Sequence, residues 1–261
     1  MSDDLVDLAV RAARAAGAAL LERYGHAGRV DAKTSATDPV SDADRASEAL
    51  LIERILGERP DDGLLGEEGA RQRSGTGLRW VIDPLDGTVN YLYRHPGWAV
   101  SVACEERGQD GQWDPLVGVV HNPLAGETFY ALRGAGAWLG DRRLRVNDPV
   151  PVERALVATG FSYEPEVRQR QGVTVAALLP QVRDIRRVGS ASLDLCALAA
   201  GRVDAYYEES LMRWDWAAGA LIAAEAGAVV DPLPPLKGPP EVVVVAAGPA
   251  LHPSLRALLP K

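Results

Sequence analysis

The chain has 261 residues, 47% of them hydrophobic and 25% charged, an ordinary globular mix long enough for one large domain or two coupled subdomains. A formal charge of −8 argues against a general nucleic-acid binder, which needs a basic surface to displace counterions from phosphates. It is compatible with a phosphate-bearing substrate, because clustered acids bind divalent metal and the metal attracts phosphate. Cys104 and Cys196 lie in apolar stretches and read as buried thiols, and His26, His95, His121 and His252 are too scattered for a zinc site. The acidic N-terminus, and the lack of any apolar run of about 18–20 residues, predict a soluble, cytoplasmic chain with no membrane partner.

The first segment predicts an amphipathic helix. Ser2 caps it, Asp3 and Asp4 suit its positive end, Leu5, Leu8, Ala12, Ala16 and Leu20 recur at helical spacing, and Gly25 and Gly28 end it. Residues 31–41, rich in Thr, Ser, Asp and Pro, predict a mobile loop. Ser41 then opens a second helix, with Asp44 three residues on, Leu50, Leu51, Ile55 and Leu56 as its apolar side, and Gly57 and Pro60 as its stop. Strands follow at 80–82, 98–104, 116–120 and 128–132. Residues 134–140 form a glycine-rich turn without dinucleotide-binding spacing.

The later half alternates: strands at 155–159 and 185–188, a helix at 190–200, a strand at 203–207, a helix at 215–226 and a strand at 241–247. Residues 232–240 read as a proline-rich loop, and Arg183, Arg186 and Arg187 as a basic cluster on a helix or interface surface. The pattern predicts an α/β protein, with an α+β subdomain over 1–148 and an α/β subdomain over 149–261, divided near Pro149 and Pro151.

The richest stretch is Trp80-Val81-Ile82-Asp83-Pro84-Leu85-Asp86-Gly87-Thr88. A buried strand runs into Asp83, Pro84 stops it, and Asp86 sits at the next bend. Two carboxylates at one strand end can share a metal ion, while the N–H groups after them receive phosphate oxygens. Taken alone, the same residues also make an ordinary turn whose acids cap backbone. Glu67 and Glu68 follow the apolar pair Leu64-Leu65, Asp215 precedes a small-residue helix, and Asp38 and Asp44 flank the predicted loop. Each has an equally plain reading, as solvated loop or helix cap.

Together these motifs resemble the inositol monophosphatase family along nearly the whole chain. The resemblance is carried by Gly66-Glu67-Glu68, by 83–88, by Gly189-Ser190-Ala191 and by Trp214-Asp215 with Ala218-Gly219. It implies a layered αβαβα sandwich, a homodimer, lithium sensitivity and two or three Mg2+ ions. Glu67, Asp83 and the Leu85 carbonyl would hold one ion, Asp83, Asp86 and Asp215 the second, and Glu67 with Glu68 a weaker third. It further implies that Thr88 and Asp44 orient an attacking water whose proton Glu67 accepts. Gly87 and Thr88 would hold phosphate oxygens, while Gly189, Ser190, Ala191 and Glu208 would contact a phosphorylated polyol. Lys33 and Asp38 would belong to a metal-linked mobile loop. Glu209-Ser210 departs from the family's usual apolar residue and glycine, which leaves histidinol phosphate and sugar phosphates open as substrates. A non-catalytic regulatory or RNA-complex-associated protein on the same fold is the reading from a different class.

Overall fold

The computed structural model describes residues 2–25, 30–32, 39–233 and 242–260. The predicted loop residues Lys33 and Asp38 lie outside the described residues, as do Gly28 and Glu241. Helix α1, Ser2–Arg23, buries Leu5, Leu8, Ala12, Ala16 and Leu20 as their spacing predicts, although Ser2 is already helical and does not cap it. The segment read as a loop is bounded by strands β1, Val30–Ala32, and β2, Pro39–Ser41, which pair antiparallel. Pro39 occupies the last rung, where a missing N–H costs least. Helix α2, Asp42–Glu58, runs through Gly57, so Gly57 is not its stop. Its N-terminal half buries Asp44, Ser47 and Glu48, and only its C-terminal half buries Leu51 and Ile55. A helix that hides polar side chains at one end points that end at a polar site.

Strands β3, Gly63–Gly66, β4, Arg71–Gln72, and β5, Leu78–Asp86, lead into the short helix α3, Thr88–Leu92. They are followed by β6, Ala99–Arg107, β7, Trp113–Asn122, β8, Glu127–Leu132, β9, Gly136–Leu139, and β10, Arg142–Arg143. These eight strands form one sheet in the order β10-β9-β8-β7-β6-β5-β3-β4. Two expectations are corrected here. Residues 136–139 of the glycine-rich segment are a strand, because once Gly134 and Gly136 make the turn at positive φ the Ala137-Trp138-Leu139 run pairs with β8. Strand β5 also continues through Pro84, because a bulge between Asp83 and Asp86 provides a position where the ladder needs no N–H.

The remainder builds a second sheet, ordered β12-β11-β13-β15-β14, from β11, Leu156–Thr159, β12, Asp184–Arg186, β13, Ala205–Leu211, β14, Val229–Leu233, and β15, Val242–Ala247. Helices α4, Pro165–Leu178, α5, Ala191–Ala199, α6, Arg213–Glu225, and α7, His252–Leu258, complete it. Strand alternation sorts the core into layers. On β5, Trp80 and Ile82 pack against α1 and α2, whereas Val81 faces Cys196, Ala217 and Leu221 of α5 and α6. On β13, Tyr206 meets the opposite side of the α5–α6 layer, and Ala205 and Tyr207 face Leu251 and Leu255 beneath α7. The outcome is the αβαβα sandwich. Helices α5 and α6 are buried on two sides, which is why they are made of small residues: Ala218 sits so close to β7 that a Cβ on Gly118 would lie 2.6 Å from its carbonyl oxygen. Among the described residues no helix is long and apolar enough to cross a membrane.

Candidate active site

The site begins with strand register. β3 and β5 run parallel with Gly66 opposite Ile82, so the next residues on each, Glu67 and Asp83, emerge side by side. Glu67 stands close enough to Asp83 to add to burial in pushing its carboxyl upward. Asp83 and Asp86 are an odd number of residues apart and would face opposite sides of a regular strand. The bulge removes that difference: Asp83 pairs with Ser101 and Asp86 with Ala99, so three steps on β5 match two on β6 and both acids enter one basin. Asp215 arrives from α6. It lies inside the first turn, not ahead of it, and its Oδ2 accepts the Met212 N–H at 2.6 Å.

The turn after Asp86 is fixed by Gly87, whose φ is +89° and where a Cβ would lie 2.7 Å from the Gly97 carbonyl oxygen. Thr88 then opens α3. The first N–H groups of a helix have no intrahelical partner, so this end of α3 can receive an anionic oxygen. Thr88 Oγ1 lies 3.1 Å from Asp44 Oδ1 and 3.0 Å from the Leu85 carbonyl oxygen. Beneath it, the Ser47 hydroxyl donates to the Pro84 carbonyl at 2.8 Å.

A cavity of about 510 Å³ gathers Glu67, Asp83, Leu85, Asp86, Gly87, Thr88, Gly189, Ala191, Glu208 and Asp215 on one wall system. Asp44 touches it through Thr88. Two predicted contacts stand elsewhere. Glu68 is off the wall, because consecutive residues after a strand point to opposite sides; its N–H donates to Glu48 Oε1 at 3.0 Å. Ser190 is buried as the N-cap of α5, and its hydroxyl serves Asp86 Oδ2 at 2.6 Å. The basic cluster also dissolves. Arg186 pairs with Asp184 on edge strand β12, Arg183 donates to the Arg154 carbonyl, and Arg187 alone lines the cavity.

Other contributors escaped the sequence reading. Ser192 donates to Asp86 Oδ2 from its N–H at 2.8 Å and its hydroxyl at 2.5 Å. The polar residues of the Ser190-Ala191-Ser192 run are the signal that marks this clamp. Glu208 is not an acid beyond a strand end but part of β13. Its Oε2 accepts from the Tyr206 hydroxyl at 2.9 Å, and Gly160 makes room for it, since a Cβ there would lie 2.0 Å from Glu208 Oε1.

Electrostatics follow from burial. Asp83 is held well above the ordinary carboxylate range, first by desolvation and then by Glu67, Asp86 and Asp215. Asp215 is raised well above it by desolvation, then by Glu67 and Asp86. Asp86 is also raised by desolvation, against the pull of its serine donors. Among the described residues no three acidic, histidine or cysteine side chains already close into a metal cage; the carboxylates spend oxygens on N–H and O–H groups of the protein. The chemistry of the set nevertheless fits a hard divalent cation. Every donor is oxygen, and the crowded buried charges repel one another in a way that a cation would relieve.

Strain marks the far wall. Ser210, which lines the cavity, has φ +70°, at an irregularity in the β13–β15 pairing. Ser210→Gly is expected to raise the unfolding free energy by about 1 kcal/mol, the usual cost of a side chain in the left-handed region, measured by denaturant titration. Next to it Glu209 is tied to Arg170 of α4 at 2.8 Å.

The profile of the Inositol monophosphatase family matches residues 1–260. Inositol-1-monophosphatase of Mycobacterium bovis is 44% identical over 241 residues, covering 89% of this chain and 81% of that protein. Nus factor SuhB of Haemophilus influenzae is 39% identical over 229 residues, 87% of this chain and 84% of that protein. Among solved structures, extragenic suppressor protein suhB from Bartonella henselae superposes with a TM-score of 0.88 at 34% identity, covering 98% of both chains.

Proposed function

The chain belongs to the inositol monophosphatase family, and on that premise we propose that it is a magnesium-dependent phosphomonoesterase hydrolysing inositol monophosphate to inositol and phosphate. The observation that carries this is the meeting of Glu67, Asp83, Asp86 and Asp215, from three separate elements, in one cavity beside the Thr88–Asp44 pair. Glu67, Asp83 and the Leu85 carbonyl would hold one Mg2+, and Asp83, Asp86 and Asp215 a second. A third would fall to Glu67 and water, given where Glu68 stands. Bound magnesium acidifies a water and neutralises charge on the phosphoryl and departing oxygens.

The chain's own residues supply position and proton transfer. Thr88 Oγ1, held by Asp44, orients the attacking water, and Glu67 accepts its proton. The N–H groups of Gly87 and Thr88 stabilise phosphoryl oxygens. Ser190 and Ser192 fix Asp86, so that its Oδ1 is the oxygen left for a ligand. Glu208 accepts hydrogen bonds from vicinal hydroxyls and so selects a polyol. Inositol phosphate is favoured over histidinol phosphate because Glu209, the extra acid that would attract an amine, is neutralised by Arg170. A cytoplasmic homodimer inhibited by lithium, organised as 1–148 and 149–261, belongs to the same reading. Phosphate release from inositol, histidinol and sugar phosphates, with and without magnesium, tests it; equal rates in chelator, or preference for an amine substrate, would reject it. The Nus factor name of the Haemophilus influenzae relative supports the second reading, a non-catalytic role, which the absence of any turnover across that panel would favour.

Burial raises the Glu208 carboxyl to about 7. Below that pH it is neutral and accepts poorly from hydroxyls; above it the carboxylate accepts well. KM for inositol phosphate is therefore expected to fall as pH rises through about 7, and Glu208→Gln should raise KM and flatten that limb.

A further inference from the structure

A second cavity, of about 790 Å³, opens along the β4 edge of the eight-stranded sheet. Four arginines line it, Arg71, Arg73, Arg79 and Arg107, and among the described residues no acid does, in a chain whose net charge is −8. They come from different places: Arg71 from β4, Arg73 just beyond it, Arg79 from β5 and Arg107 from the end of β6.

Their charges are only partly answered. Arg71 donates to the neutral carbonyls of Gly66 and Ala70, lies over the Trp214 ring at 5.5 Å and is partly answered by Glu48. Arg79 binds the fully buried Glu105 and stacks over the Trp113 ring at 4.4 Å. Glu105 also holds Arg213, at 2.5 Å, so one carboxylate serves two guanidiniums and this trio keeps a positive charge. The guanidiniums of Arg73 and Arg107 are exposed and have no ion pair or hydrogen bond among the described residues. Isolated surface arginines are ordinarily just solvated. Four that share one concavity with no acid among the described residues lining it, braced by a buried ion trio and a stacked ring, make a preformed positive recess.

We infer that this cavity binds a small anion carrying more than one phosphoryl group, such as pyrophosphate or the triphosphate of a nucleotide. A single phosphoryl group offers guanidinium forks one small tetrahedral centre, whereas four arginines on or beside three strands line a cavity of about 790 Å³. Linked phosphoryl groups match that spread and give each of Arg73 and Arg107 its own bidentate partner. The cavity is separate from the carboxylate basin, whose own charge repels anions when no cation is present.

The test is calorimetric titration of the full chain with pyrophosphate, ATP and orthophosphate in chelator at low ionic strength, with tryptophan fluorescence as a second readout of Trp113. Pyrophosphate and ATP are expected to bind at least about tenfold more tightly than orthophosphate, with affinity falling as salt rises. The double variant Arg73→Gln/Arg107→Gln should weaken pyrophosphate binding about tenfold or more, a loss of about 1.4 kcal/mol, and leave turnover unchanged. Asp83→Asn should keep pyrophosphate binding. Unaltered affinity in the double variant, or equal affinity for orthophosphate, would overturn the assignment.

Discussion

Asp83→Asn is expected to abolish phosphate release and, in chelator, to raise the stability of the protein. Asp83 stands at the centre of the basin, buried, beside Glu67, with Asp86 and Asp215 as further like charges. As a shared ligand its loss should cost at least about 10³-fold in kcat/KM, about 4 kcal/mol of transition-state stabilisation. The stability effect has the opposite sign. Because the folded state holds this carboxyl well above its ordinary value, folding is favoured when it is protonated, and that contribution is lost as pH rises above the usual carboxylate range. Asparagine is neutral at every pH and keeps an oxygen for the Leu85 N–H that now donates to Asp83 Oδ1 at 3.0 Å. The unfolding midpoint in chelator at neutral pH should therefore rise, and the upward shift on adding magnesium should shrink. A variant less stable in chelator than the parent would count against the repulsion argument.

Thr88→Val should lower kcat by about 10²–10³-fold, the range typical of a lost positioning and proton-transfer group. The substitution is nearly isosteric but deletes the hydroxyl that faces Asp44 Oδ1 at 3.1 Å. Substrate affinity and the magnesium requirement depend on other residues and should change little. Steady-state kinetics separate the cases: a fall confined to KM would assign Thr88 to binding alone.

Much of this was legible because the informative patterns are local. The β-rich runs at 80–82 and 98–104 gave strands of the first sheet, and helical spacing gave α1. Helix α4 was not legible, because it buries Gln171 and Thr174 alongside Val167 and Leu178 and so lacks an apolar stripe. Pro84 was read as a strand breaker; only the pairing with β6 reveals the bulge that accommodates it and turns Asp83 and Asp86 to one side. The acids of the site were visible as motifs, whereas their supports were not. Ser192 and Asp86 are 106 residues apart in the chain, and Gly160 matters only because Glu208 packs where its side chain would be. The arginine cavity is of the same kind, since its four cations are unremarkable until β4, β5 and β6 bring them together.

The central claim is that carboxylates from β3, β5 and α6 jointly hold divalent cations. Counting bound Mn2+ per chain by electron paramagnetic resonance, in the parent and in Asp83→Asn, tests it most directly. Two or more ions in the parent, with binding largely lost in the variant, is the predicted result. No tight ion in the parent, or the same count in both, would contradict it.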